Sequence, residues 1–178
     1  MNIEAAAALS YDDHLPLAWR PLAEDDASQS HETENLGALC AVAALEEHRE
    51  LPGEDTPLHA EIHRLHQKMD LLVHMLSSLI RSQAQLPATV PLRLSAQRLV
   101  WTHGETPPPP GARILLELYL HRGLAQPLRL PARVQALADG AAEAVFEPLG
   151  EASLAALERH VFLHHRRSIA GARHAAQR

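Results

Sequence analysis

Large aromatic side chains are scarce: two Trp, two Tyr and two Phe make up 3% of the 178 residues. A core without many rings has to be assembled from Leu, Val and Ala, which favours helices. Cysteine is nearly absent. The single Cys40 excludes an internal disulfide and any paired-thiol centre. It sits in LGALCAVAALEEH at helical spacing from Leu36 and from Ala43 or Ala44, so it is predicted to be a small buried hydrophobe. No stretch reaches the roughly eighteen uncharged apolar residues that a membrane helix needs. The start, MNIEAAAALSYDDH, has an alanine run but no basic flank, so a cytoplasmic location without membrane insertion is expected. Catalytic strings are missing as well: there is no Gly-x-Ser-x-Gly, P-loop, Cys-x-x-Cys or His-Glu-x-x-His. Adjacent carboxylates occur only in the acidic runs Asp12-Asp13 and Glu24-Asp25-Asp26, which read as solvated charge. The chain is therefore expected not to be an enzyme and to carry no cofactor.

The length allows one compact domain plus an appendage. The formal charge of −6 is uneven, with an acidic first third and a basic, histidine-bearing end, ERHVFLHHRRSIAGARHAAQR. Without aromatic platforms or a groove-reading motif, that end reads as a solvated helix face, and nucleic acid is not expected as a partner.

Along the chain, residues 1–32 read as an extended arm anchored by Trp19 between Pro16 and Pro21. Thr33 offers an N-cap for a helix to about His48. The break ELPGEDTP follows, in which Thr56 is an N-cap and Pro57 suits the first helical position. A second helix is thus predicted from Leu58 to about Gln85. It carries a heptad seam with Leu58, Leu65, Leu72, Leu79 and Leu86 at d, and Ile62, Met69, Leu76 and Gln83 at a. Val73, Ile80, Met75 and Leu71 widen this apolar stripe, which points to packing among several helices. Residues 33–86 are accordingly assigned to self-association among three or more helices; a helical hairpin lying on the barrel is the other arrangement.

His59, His63 and His66 flank the seam at i, i+4 and i+7, with His74 two turns on. Such spacing can chelate a metal, but no carboxylate accompanies the histidines and Arg64 and Lys68 add positive charge. No metal is assigned there. Protonation of these rings near pH 6 would bring like charges together in an assembled bundle and loosen it.

From residue 87 onward the period changes to two. TVPLRLSA, QRLVWTH, ARILLELYLH, PLRLPARVQALA and AEAVFEPL are short strands separated by turns containing Pro or Gly, and no long helix intervenes, so they are predicted to be antiparallel. A last helix is expected from about Glu151 to Ala172, with Leu154, Leu157, Val161 and Phe162 on one face. The fold class is α+β: a small antiparallel barrel with a closing helix over residues 87–178, the arm being a candidate sixth strand.

This order of elements resembles a PilZ domain. The closing helix of that family carries a Leu-Glu-Arg-x-Val/Ile-Phe-x-x-x-Arg-Arg run, matched by Leu157, Glu158, Arg159, Val161, Phe162, Arg166 and Arg167. A heptad helix immediately before the barrel is similar to the atypical tetrameric PilZ proteins of xanthomonads and relatives. The resemblance spans about residues 33–178 and implies cyclic di-GMP-linked bacterial regulation of motility, pili, biofilm or virulence, with a signalling or pilus-related protein as partner.

Standard members bind the nucleotide through an Arg-x-x-x-Arg clamp ahead of the barrel and an Asp/Asn-x-Ser-x-x-Gly motif on it. The second falls here at Arg93, Ser95 and Arg98. Only the serine is kept: Arg93 is a donor where the family has an acceptor, and Arg98 places a long side chain where it has glycine. For the first, Arg81 stands alone upstream, and the string at Arg129 and Arg133 lies within a later strand. The resemblance thus implies a self-associating adaptor with a degenerate nucleotide site, to which cyclic di-GMP is not expected to bind. The alternative is a true receptor using Arg93, Arg98, Arg129 and Arg133 together.

Overall fold

Alternating burial along six short strands produces the architecture. The computed structural model describes residues 9–23, 31–46, 57–83, 86–102, 107–121, 123–138 and 140–175. The elements run β1 (Ser10–Pro21), α1 (Glu32–Glu46), α2 (Pro57–Gln83), β2 (Thr89–Ser95), β3 (Arg98–Thr102), β4 (Arg113–Leu118), β5 (Leu128–Ala138), β6 (Ala141–Phe146) and α3 (Glu151–Ala175). The strands close into an antiparallel barrel in the order β1-β2-β3-β6-β5-β4.

β1, the arm of the sequence reading, closes the barrel as its sixth strand. Residues Ser10 to Pro16 pair with β2 and Leu17 to Pro21 pair with β4. Pro16 stands where β1 changes partner, a position at which its missing N–H breaks no ladder bond within a continuous pair. Its carbonyl still accepts from the Tyr119 N–H at 3.1 Å. Trp19 is partly buried against the core, as its anchoring role requires.

The interior is built mainly of aliphatic residues. Leu94, Leu99, Ile114, Leu116, Leu118 and Leu130 are fully buried, and so are Ala132, Ala142 and Ala144. Tyr11, Trp101 and Phe146 are the large rings among the buried residues. Along β5, Leu128, Leu130, Ala132 and Val134 are buried while Arg129, Arg133 and Gln135 are not, a period-two pattern that only Pro131, also buried, interrupts. Gly111 and Gly140 adopt φ of 76° and 77° at the turns before β4 and β6, conformations that side-chain-bearing residues rarely reach.

α1 rests on α3 and β5 rather than on α2. Its buried residues are Asn35, Ala38, Leu39 and Val42. This corrects the expectation for Cys40, which is exposed. The helix is rotated so that Asn35 meets β5, and that turns Cys40 off the packed face. Both carboxylate-bearing ends of α1 are held. The Glu32 carboxylate accepts from the Gly150 N–H at 3.1 Å at the start of α3, where the helix dipole favours an anion, and Glu46 meets the far half of α3.

α3 buries Ser153, Leu157, His160 and Val161. Phe162 was expected on this face but is 46% exposed, with the Arg166 guanidinium 5.7 Å from its ring centre. It lies one residue beyond Val161, about 100° around the helix.

α2 begins at Pro57, as its sequence signals predict, and packs against no other element among the described residues. Among the described residues α1 and α2 form no hairpin contact. Leu65, Met69, Leu72, Leu76 and Leu79 are each more than half exposed, and Leu71, Val73 and Met75 are exposed beside them. Ile62 is half-buried. Leu86 lies beyond Gln83, the described end of the helix, rather than within it. The side chains of Leu58, Gln83, Ile80, His59, His63 and His74 lie outside the described residues. No helix among the described residues is long and apolar enough to cross a membrane.

Candidate functional site

The β2–β3 edge carries Arg93, Ser95 and Arg98. Arg93 points outward from β2 and makes a two-pronged contact with Asp12 on β1: Nε donates to Oδ1 at 2.7 Å and a terminal nitrogen donates to Oδ2 at 3.1 Å. The pairing follows from register, since Asp12 and Arg93 are direct partners across the antiparallel ladder. This hydrogen bonding holds the Asp12 carboxyl below its ordinary range and raises Arg93.

Ser95 is buried and faces the turn rather than an open pocket. Its Oγ accepts from the Arg98 N–H at 3.0 Å and the Gln97 N–H at 3.3 Å, and its hydroxyl contacts the Arg98 carbonyl at 3.2 Å. The serine thus ties the two-residue β2–β3 link, the local use of a hydroxyl in a tight turn. Arg98 donates to Glu143 of β6 at 3.1 Å.

Arg129 and Arg133 lie on β5, as the sequence reading placed them. Arg129 bridges two acids, Glu117 on β4 at 3.2 Å and Glu34 on α1. Burial alone would lower its pKa, but these hydrogen bonds outweigh it and raise it. Arg133 donates to the Gly111 carbonyl at 3.1 Å. Register brings two of the four arginines onto one row: Arg98 and Arg133 both pair with Val145, from opposite sides. Arg93 stands next to that row through Val100, while Arg129 lies four residues further along β5. The side chain of Arg81 falls outside the described residues.

Two contacts escaped the sequence reading. Asn35, near the start of α1, is buried and mimics a strand. Its amide nitrogen donates to the Arg129 carbonyl at 2.7 Å, and its oxygen accepts from the Arg129 N–H at 2.8 Å. β6 ends opposite Ala132, so Asn35 satisfies the backbone edge that β6 leaves open.

The second is a cluster between β1, α1 and α3. Tyr11 Oη lies 2.9 Å from His160 Nε2, and His164 Nε2 lies 3.0 Å from both carboxylate oxygens of Glu46. Arg167 donates to the same carboxylate at 3.0 Å. Tyr11 stacks on His164, and the two histidine rings stand 4.3 Å apart. Burial, with repulsion from His164, pushes His160 down to about 4, so its imidazole is neutral at pH 7. Burial also raises Tyr11, keeping its phenol protonated. For Glu46 burial acts upward, but the His164, His160 and Arg167 contacts prevail and hold it at about 2. Only the i, i+4 spacing of His160 and His164 was available in the sequence as a signal for this group.

These elements form a closed six-stranded antiparallel barrel with a C-terminal helix, the architecture of a small β-barrel domain. The sequence matches the family model for the atypical PilZ domain, cyclic di-GMP receptor, over residues 38–174, and the chain belongs to this family. Among solved structures it is similar to a pathogenic protein from Xanthomonas campestris, described as a new tetrameric PilZ domain self-assembled via an unusual helical bundle. The identity is 29%, the TM-score is 0.68, and 92% of each chain is covered. Among curated proteins none matches.

Proposed function

We propose that the chain is a non-catalytic, self-associating adaptor in cyclic di-GMP-linked signalling whose standard nucleotide motif has decayed. The observation that carries the self-association is α2. A regular helix of 27 residues leaves Leu65, Met69, Leu72 and Leu76 exposed along one seam and contacts no other element among the described residues. Soluble proteins rarely leave such a stripe uncovered, and copies of the same helix at heptad spacing would cover it. The tetrameric helical bundle of the Xanthomonas campestris protein supports this reading and favours a tetramer here.

The degenerate-site reading rests on the β2–β3 edge. A donor-only guanidinium at Arg93 replaces the acceptor that would read a guanine edge, and it is already engaged by Asp12. Arg98 fills the glycine position and reaches Glu143. Calorimetric titration of the purified chain with cyclic di-GMP tests the reading. The expected result is no saturable heat in the low-micromolar range, about −8 kcal/mol.

A second reading is supported by the family description and by the shared row of Arg98 and Arg133. There the chain is a receptor that holds the phosphates on the outer wall of β3 and β5. A saturable isotherm that disappears in the R98A/R133A double variant would establish it in place of the first.

A further inference from the structure

The C-terminal end of α1 meets α3 through one carboxylate and two imidazoles. Glu46, His160 and His164 each present a donor atom, and these atoms lie within 4.8 Å of one another. His160 and His164 are one helical turn apart, so both rings project from the same side of α3. Their centres are separated by 4.3 Å. In a tetrahedral zinc site with arms of about 2.0–2.1 Å, neighbouring donors stand roughly 3.3 Å apart. The edge between His164 Nε2 and the Glu46 oxygens, at 3.0 Å, is therefore already close to that spacing. Since no donor pair is more than 4.8 Å apart, any remaining separation has to shorten by at most about 1.5 Å, within reach of side-chain rotation.

We propose that Glu46, His160 and His164 form a binding site for a zinc-class divalent cation that staples α1 to α3. The donor set selects the ion. Two imidazoles and one carboxylate suit zinc, nickel or copper, whereas calcium and magnesium favour oxygen-only shells. Tyr11 serves as the outer-shell partner of His160, and Arg167 plays the same part for Glu46. The Arg167 charge opposes the cation, so the site binds less tightly than the same ligands would without it.

Access is available. A cleft of about 540 Å³ runs between α1 and α3, lined on its apolar side by Leu39 and Leu163 and on its polar side by Glu46 and His160 together with Arg159 and Arg167, whose charges oppose a bound cation. Three protein ligands leave a fourth position for water from this cleft. The ion would fix the C-terminal end of α1 to α3.

The test is titration of the full, tag-free chain with Zn²⁺ by calorimetry, with Co²⁺ visible absorption as a report on ligand geometry. A variant lacking all four α2 histidines, H59A/H63A/H66A/H74A, serves as the background, so that histidine binding on α2 is removed. The expected result is one equivalent per chain in that background, a Zn²⁺-dependent rise in melting temperature, and at least ~tenfold weaker binding in H164A and in E46Q. E46Q keeps an oxygen for Arg167 and preserves side-chain shape, so it remains informative if H164A fails to fold. Loss of all stoichiometric binding in the background variant, or affinity unchanged in E46Q and H164A, would overturn the site.

Discussion

Placing Asp at both Leu72 and Leu76 should separate the assembly into monomers without unfolding the barrel. Full burial of a Leu side chain is worth about 1.5–3 kcal/mol. Leu72 is 65% exposed and Leu76 58% exposed in the isolated chain. Covering the remaining surface in a bundle is then worth roughly 1–2 kcal/mol for each, or about 2–4 kcal/mol per chain. Asp removes that gain and adds the cost of bringing a carboxylate into an apolar seam, on the order of a further few kcal/mol. Each 1.4 kcal/mol is about tenfold in affinity, so association should weaken by roughly a thousandfold or more. Light scattering coupled to size exclusion reads the mass directly. Ala60→Asp, at an exposed position on the other side of the helix, is the matched control and should leave the mass unchanged. The barrel's melting transition should persist in the double variant, because α2 packs on none of its strands among the described residues. A wild-type chain that runs as a monomer at tens of micromolar, or a double-Asp variant that keeps its mass, would refute the reasoning.

Two further substitutions probe what positions the site. Asn35→Leu should destabilise the fold by about 2–4 kcal/mol in urea unfolding, because both backbone groups of Arg129 lose their partner; a change below about 0.5 kcal/mol would contradict the strand-mimic role. Glu147→Ala removes the carboxylate that meets the Arg113 guanidinium, 8% exposed, at 2.8 Å. The expected loss is about 3–5 kcal/mol. Adding Arg113→Met should recover part of it, and an unrelieved double variant would argue against a charge left buried.

The barrel was legible because each strand has one face in the core and one in solvent, which writes a period of two into the sequence. Thr56 and Pro57 marked the start of α2 because the first helical turn tolerates Pro. β1 was harder to read. Its prolines resemble a loop until Pro16 is seen at the change of partner from β2 to β4. Cys40 and Phe162 were misplaced for a common reason: amphipathic spacing gives a stripe, and tertiary contacts decide its centre by a residue either way. On α1 that decision falls to Asn35, a polar side chain whose burial depends on an unpaired β5 edge. The Tyr11–His160–His164–Glu46 group joins residues 149 and 118 positions apart. Local spacing shows only its histidine pair.

The ion pairs at the β2–β3 edge are weak evidence against nucleotide binding when taken alone. Arg93 and Asp12 are both well exposed, and exposed pairs contribute only about 0–1 kcal/mol, so a phosphate could displace the carboxylate at small cost. The stronger argument concerns hydrogen-bond direction. Guanidinium has no acceptor at any accessible pH, so Arg93 cannot receive the N–H groups of a guanine edge however it rotates. Ser95 cannot substitute, because its oxygen already accepts two backbone N–H groups and holds the turn. Arg93→Asp should therefore change the chemistry of the edge without rebuilding a receptor. It would restore an acceptor, but it would also place a carboxylate opposite Asp12 in the same ladder position, where like charges repel. Pairing it with Asp12→Arg should relieve that repulsion and, on the outer wall of β1, supply a guanidinium for phosphate. If calorimetry of this swapped pair, together with Arg98→Gly, detects cyclic di-GMP while the wild type stays silent, the loss of binding traces to this edge. Silence in both would mean that this edge alone does not decide binding.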